Sequence, residues 1–291
     1  MFRLSILNLL RKSYSSRTVF IGRVTLYMID QEKYAVVTGA SSGIGWFIAA
    51  ELAKKGYSIV AVSNQGPELH KLKSELQALY SIHVRVFDCD LSKNDAAEKV
   101  FEFCVKNKLQ IEVLVNNAGI LIYGELTRID VEQTKSILQL HMDTPAMLCR
   151  MFGAAMVETG KGYMMNVSSI SSVMPYPFIS LYGPTKTFIR QFTKALRFEM
   201  NDTGVHVSCL LPGATATALY DPEKVNLTLA MRLGVMKTPE DVAKAGVKSM
   251  FNQRKECVPG VFNKFIMLFV RIVPDFLIAF IYRKKKNEFV K

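Results

Sequence analysis

The chain predicts an α/β fold, a single parallel sheet covered by helices on both faces. Three observations carry this: six strand-like runs, helical stretches between them, and no repeat or low-complexity linker that would divide the 291 residues. The runs are YAVVT (34–38), YSIVAVS (57–63), VRVFDCD (84–90), IEVLVNN (111–117), GYMMNVSS (162–169) and VHVSCLL (205–211).

The first run opens into Gly39-Ala40-Ser41-Ser42-Gly43-Ile44-Gly45 and then into the helical pattern WFIAAELAKKG, which ends at Gly56. Strand, glycine turn and helix are the context that a dinucleotide-binding turn requires. Gly39 and Gly43 let the backbone approach a diphosphate, and Gly45 permits close packing of helix on strand. The helix N-terminus then offers its unpaired N–H groups to the phosphates. The spacing G-x-x-x-G-x-G differs from the commoner G-x-G-x-x-G. After the second run come Ser63, Asn64, Gln65 and Gly66. No carboxylate stands at Ser63 to bond both ribose hydroxyls, and Ser63, Asn64 and Gln65 can all donate to a 2′-phosphate. This leans the cofactor reading toward NADP(H) rather than NAD(H), although no Arg or Lys stands at Ser42 or at 63–65.

Tyr182 and Lys186 lie four residues apart in YGPTK, and Ser169 precedes the tyrosine by 13 positions. On a helix, residues four apart share a face. A phenol with a reference pKa near 10 is a weak acid–base catalyst at neutral pH. A neighbouring ammonium favours its phenolate and brings the proton within reach of a carbonyl or alcohol oxygen. Pro184 between them is tolerable only where a helix has just begun, because its missing N–H is unneeded there.

TGASSGIG at 38–45, NNAG at 116–119, VSS at 167–169, YGPTK at 182–186 and PGATAT at 212–217 together resemble the short-chain dehydrogenase/reductase family, in family order over roughly residues 33–260. The resemblance implies a single doubly wound Rossmann-type domain that binds a nicotinamide cofactor and transfers a hydride between it and a carbonyl or alcohol carbon. It makes Tyr182 the acid in reduction and the base in oxidation. Lys186 holds the nicotinamide ribose, and Ser169, rather than Ser168, orients the substrate oxygen. It places Gly39, Ser41, Gly43, Ile44 and Gly45 on the phosphates, and Asp90 with Leu91 at the adenine. Asn117 and Gly119 line the cleft, while Pro212, Gly213 and Thr217 lie beside the carboxamide and phosphates. The family often carries an asparagine, whose main chain holds a relay water, in the helix before the serine strand. In ILQLHMDTP that position is His141. Its bland alternative is a helix histidine bonded to backbone.

The charge of +12 sits at the ends. Residues 1–29 carry five basic and no acidic groups, and residues 254–291 carry nine basic against three acidic, which leaves 23 against 22 between them. A near-neutral core speaks against nucleic acid as a partner and for anionic lipid headgroups at the ends. The organisation expected is a basic N-terminal extension (1–29), a catalytic domain (30–260), and a hydrophobic, basic tail (261–291). In the tail, Phe265 to Tyr282 is apolar apart from Arg271, Pro274 and Asp275. That cluster opposes a spanning helix and predicts two short helices bent at Pro274, lying in a membrane interface with Arg283 to Lys286 on phosphates. The acid-free leader has the composition of a transit peptide, and Met28 offers an alternative start. Five scattered cysteines (89, 104, 149, 209, 257) lack metal-ligand spacing and suggest a reducing, intracellular compartment, with Cys89 and Cys209 buried in strands. No metal is expected. Membrane association is expected to be peripheral, on the cytoplasmic side.

The segment between Thr217 and Pro239 matches the family's variable substrate lid. Its Leu219, Tyr220, Leu227, Leu229, Met231, Leu233 and Met236 suit a greasy ligand. The expected substrate is a hydrophobic ketone such as a 3-oxoacyl chain, 3-ketosphinganine or a steroid. Two alternatives stay open: a cofactor-binding sensor or scaffold without turnover, and an NAD-dependent alcohol dehydrogenase running oxidatively. The resemblance also suggests homodimers or homotetramers.

Overall fold

The computed structural model describes residues 32–217, 236–270 and 273–289. The basic extension and most of the expected lid, residues 218–235, lie outside these. Seven parallel strands form one sheet in the order β3-β2-β1-β4-β5-β6-β7. They are β1 (Lys33–Thr38), β2 (Ser58–Ser63), β3 (Val84–Asp88), β4 (Gln110–Asn116), β5 (Gly162–Val167), β6 (Val205–Leu210) and β7 (Glu256–Cys257). The helices are α1 (Gly43–Ala53), α2 (Gly66–Leu79), α3 (Ala96–Lys106), α4 (Val131–Leu138), α5 (Thr144–Thr159), α6 (Tyr182–Glu199), α7 (Pro239–Phe251), α8 (Val261–Phe269) and α9 (Asp275–Phe289).

Alternation along each strand builds two cores. Ala35, Val37, Ile59, Ala61, Val113 and Val115 face α1, α2 and α7, where they meet Ile48, Leu52, Leu69 and Val242. Their neighbours Val36, Val60, Val62, Leu114 and Met164 face α3, α5 and α6, against Val100, Leu148, Phe152 and Leu196. A strand that must be apolar on both faces reads as a near-continuous apolar run rich in β-branched residues, which is how β1 and β2 read. Each such side chain, fully buried, contributes about 1.5–3 kcal/mol. The order of the strands reverses between β1 and β4, so the crevice at their C-terminal ends is the place where a ligand fits.

One expectation needs correction. Cys89 is not a buried strand residue: β3 is an edge strand that stops at Asp88, and Cys89 is only partly covered beyond it. Cys209 is buried in β6 as expected. The sequence reading also missed β7, whose two residues pair with Cys209 and Leu210 but are too few to show a pattern.

Candidate active site

The glycine turn is shaped by contacts that no side chain would survive. Gly39 and Gly43 have φ of 65° and 55°, in the left-handed region that favours glycine. A Cβ on Gly45 would stand 2.1 Å from the Gly39 carbonyl oxygen and 2.5 Å from Asn117 Nδ2. Helix α1 therefore leaves the turn at the closest backbone approach possible. Its N-terminal residue Ser42 makes no side-chain cap, so the first-turn N–H groups face the crevice unsatisfied by one. Asn117 fixes the turn from the other side by donating Nδ2 to the carbonyls of Thr38 (3.0 Å) and Gly39 (3.2 Å). Sequence reasoning passed over Thr38. Its hydroxyl donates to Val115 O and accepts from the amides of Asn117 (2.9 Å) and Ala118 (3.1 Å), stitching β1 to β4.

Ser63 is buried and shares a 2.9 Å hydrogen bond with Ser41, so the end of β2 closes on the glycine turn. Asn64 is exposed beside it. A carboxylate also stands here, unforeseen because it comes from the next strand. Asp88 pairs in register with Ser63, and its Oδ2 would lie 2.6 Å from a Cβ on Gly66. Asp90 accepts from the amide and hydroxyl of Ser92. Partial burial raises its pKa, but those bonds and Lys93 outweigh that and leave it lowered. Leu91 is buried, and its carbonyl accepts from Thr144.

The second half of the site hangs on the start of α6. Tyr182 is its first residue and Pro184 its third, so the proline falls in the opening turn, where no N–H is missed. Lys186 follows one turn later. Its Nζ lies 5.6 Å from the centre of the Tyr182 ring and donates to Val167 O at 3.1 Å. Burial pushes the lysine down to about 8, so the ammonium persists at neutral pH but only just. Ser168 is buried and donates to Lys186 O, whereas Ser169 is half-exposed, accepts from the Ser171 amide, and keeps its own proton to donate. Gly119 completes this corner; a Cβ on it would stand 3.0 Å from His141 Nε2 and 3.5 Å from Lys186 Nζ. Pro212 and Gly213 follow β6, with Pro212 O accepting from the Ile170 amide. Thr217 Cγ2 would touch a Cβ on Gly43 at 3.1 Å, which brings that loop against the glycine turn.

His141 occupies a wide turn, Gln139–Asp143, between α4 and α5. Pro145 cannot give the His141 carbonyl the donor that an α-helix would, and such a turn is the usual relief. The ring is buried. Its Nε2 accepts from the Ile120 amide (3.1 Å), so the pattern puts the ring proton on Nδ1, 2.9 Å from Thr185 Oγ1. Thr185 in turn donates to Tyr182 O at 2.9 Å. The rings of His141 and Tyr182 meet edge to face at 5.6 Å. Burial, and after it the charge of Lys186, holds the imidazole well below its ordinary pKa, so it stays neutral. Both ring nitrogens are engaged in hydrogen bonds, an arrangement suited to bracing. A cavity of about 10 Å³, close to the size of one water, lies between His141, Lys186 and Asn116.

This arrangement fits a nicotinamide dinucleotide: a glycine turn held by Asn117 at the C-terminal end of β1, and a buried ammonium 5.6 Å from the centre of a phenol ring. Residues 33–226 match the family model for short chain dehydrogenases. The chain belongs to that family. It is 32% identical over 226 residues to the very-long-chain 3-oxoacyl-CoA reductase of Mus musculus, covering 75% of this chain and 72% of that one. Hydroxysteroid dehydrogenase-like protein 1 of Gallus gallus is 30% identical over 195 residues, covering 66% and 59%. The short-chain dehydrogenase of Sphingobium yanoikuyae, solved in complex with NADPH, superposes with a TM-score of 0.72 at 23% identity, covering 81% of this chain and 92% of that one. The chain is thus a short-chain oxidoreductase that acts on hydroxyl or carbonyl groups and takes a nicotinamide cofactor.

Proposed function

We propose that this enzyme reduces a long hydrophobic ketone, of the 3-oxoacyl class, to a secondary alcohol with NADPH. The observation that carries the chemistry is the pairing of Tyr182 with a buried Lys186 at one corner of the cofactor crevice. When bound, the nicotinamide supplies a hydride to the carbonyl carbon. Tyr182 gives its phenolic proton to the carbonyl oxygen as charge develops there, and Ser169 donates a hydrogen bond to the same oxygen. Lys186 stabilises the phenolate left behind and binds the ribose. Oxidation runs the same steps backward. A cofactor binder without turnover needs the glycine turn but not an ammonium buried at a cost beside a phenol.

NADP(H) is favoured because Ser63 and Asn64 stand where an NAD-selective site would have its carboxylate; the nearby carboxylate of Asp88 opposes it. The substrate class is supported by the similarity to the very-long-chain 3-oxoacyl-CoA reductases, proteins whose own substrates are lipids by name. The tail adds to this, with a proposed peripheral contact on an anionic membrane. The test is a panel of ketones from small polar to long-chain 3-oxo, each with NADPH and NADH, followed by loss of reduced cofactor. Turnover confined to long-chain ketones with NADPH is expected. Turnover of small polar ketones alone, or equal rates with NADH, contradicts the reading.

A further inference from the structure

Helices α8 and α9 are turned inside out. In α8 the inward residues are Asn263 and Met267, four apart, while Val261, Phe262, Phe265, Leu268 and Phe269 are exposed. That spacing makes one stripe of a 3.6-residue helix, aimed away from the protein. Pro274 separates the helices, and α9 continues the display with Phe276, Leu277 and Phe280 exposed. Arg283 and Lys284 are exposed one turn further on. Apolar patches of this extent call for a partner. The partner's charge can be read from the chain: residues 254–291 carry nine basic groups against three acidic. An anionic lipid surface satisfies the aromatic stripe and the charge together, whereas a second copy of the same segment would bring like charge to like.

The same helices also touch, at two points, segments that adjoin the candidate site in the chain. Asn263 packs under Gly213 of the loop after β6, so closely that a Cβ there would lie 2.3 Å from its Oδ1. Its Nδ2 is held by Pro259 O at 2.7 Å. In α9, Tyr282 donates its hydroxyl to Glu125 Oε1 at 2.8 Å, and its ring lies 5.1 Å from that of Phe178. Glu125 belongs to the segment that leaves Gly119, and Phe178 to the segment that leads into Tyr182. The two segments are joined by the Gly124 amide donating to Phe178 O at 2.8 Å. Phe178 is buried with φ of 66°, an unusual conformation for a bulky residue that its surroundings must hold in place. Between these segments lies a cavity of about 200 Å³, lined among others by Tyr123, Glu125, Ile129 and Phe178. Tyr282 thus rests on two of its walls.

We propose that α8 and α9 form a membrane-docking strap: their aromatic stripe lies on an anionic lipid surface, and Tyr282, through Glu125 and Phe178, passes that contact to the two segments that bound the substrate side of the crevice. The proposal rests on the lipid-ketone reading and explains how such a substrate reaches Tyr182 without crossing water.

The test uses the full chain with NADPH bound and phosphatidylcholine vesicles made with and without phosphatidylserine. Flotation reads docking, and amide hydrogen exchange over residues 120–129 and 174–181 reads the coupling. The expected result is flotation with the phosphatidylserine vesicles and at least about threefold slower exchange in both segments. Arg283→Gln combined with Lys284→Gln should weaken vesicle binding roughly thirtyfold. Tyr282→Phe keeps the ring but not the hydroxyl; it should float like the native chain while its two segments no longer respond to vesicles. Flotation of the native chain with unchanged exchange in the two segments overturns the coupling, as does a native response in Tyr282→Phe. Failure to float, equal affinity for vesicles lacking phosphatidylserine, or tail protection that instead rises with protein concentration overturns the choice of lipid. Oxidation of NADPH by a detergent-dispersed 3-oxo chain, measured without vesicles, separates these outcomes from failure of the reductase reading itself.

Discussion

Helices α1 and α8 are both short and mostly apolar, yet they use their apolar residues in opposite ways. In α1, Ile48, Ala49 and Leu52 are fully buried against the sheet, and Gly45 lets the helix approach the turn before it. In α8 only Asn263 and Met267 face the protein, while its phenylalanines face out. The difference teaches that apolar content fixes whether a segment buries something, not what it is buried against. A helix between two strands of a parallel sheet is obliged to cover that sheet. A helix that follows the last strand is free to serve another surface.

The sharpest way to break the comparison is at Gly45. Gly45→Val places side-chain atoms where the Gly39 carbonyl and Asn117 already are, and loss of all measurable NADPH binding by fluorescence titration is expected. Retained binding would mean that the turn is not the cofactor's seat. Next in size is a matched pair of truncations. Ile48→Ala should cost about 2–5 kcal/mol in urea unfolding, because a buried cavity replaces packed atoms. Phe265→Ala, on the outward stripe, should cost less than about 0.5 kcal/mol in the same buffer. Equal losses would show that α8 packs like α1.

Lys186 gives a test with a definite sign. Its folded pKa of about 8 lies below the unfolded value of 10.5. Between those values the folded chain binds fewer protons than the unfolded one, so stability rises with pH across that window and is lowest below about 8. For this buried group the rise in the cofactor-free chain amounts to as much as about 3 kcal/mol. The Lys186→Met chain should lack it, and parallel stability–pH curves for the two would contradict the assignment. A further loss is expected at His141. His141→Leu leaves the Ile120 amide and the Thr185 hydroxyl without their buried partner, at about 1–3 kcal/mol of stability. His141→Asn should recover part of that loss and most of the rate. A kcat profile against pH that keeps its shape in His141→Asn would support bracing over proton transfer.

Much of the site was legible because sterics leave few choices. Gly39 and Gly43 hold left-handed backbone and Gly45 leaves no room for a Cβ, and the tyrosine–lysine pair, ordinary on a surface helix by itself, gains its chemical reading from the glycine turn and the serine that accompany it. The sheet was legible for the same reason, since β1 and β2 must be apolar on both faces. What escaped depends on long-range register. Thr38 stitches β1 to the loop after β4, 79 residues away at Asn117, and no local pattern announces such a bond. Asp88 reaches the end of β2 only because β3 pairs with it. Tyr282 meets Glu125 across 157 residues. Two helices on either side of Pro274 were foreseen from the central Arg-Pro-Asp, but the contacts of Tyr282 with Glu125 and Phe178 were not. The apolar lid falls outside the described residues apart from Met236, which is buried.

The central claim is that a phenol beside a buried ammonium trades a proton while a bound dinucleotide trades a hydride. Its most direct test is the single-turnover rate of NADPH oxidation by a long-chain 3-oxo substrate in Tyr182→Phe, with cofactor affinity measured in the same preparation. The account predicts a rate lower by about a hundredfold to ten-thousandfold, with NADPH bound as tightly as in the native chain. A native rate with the cofactor fully bound would contradict it.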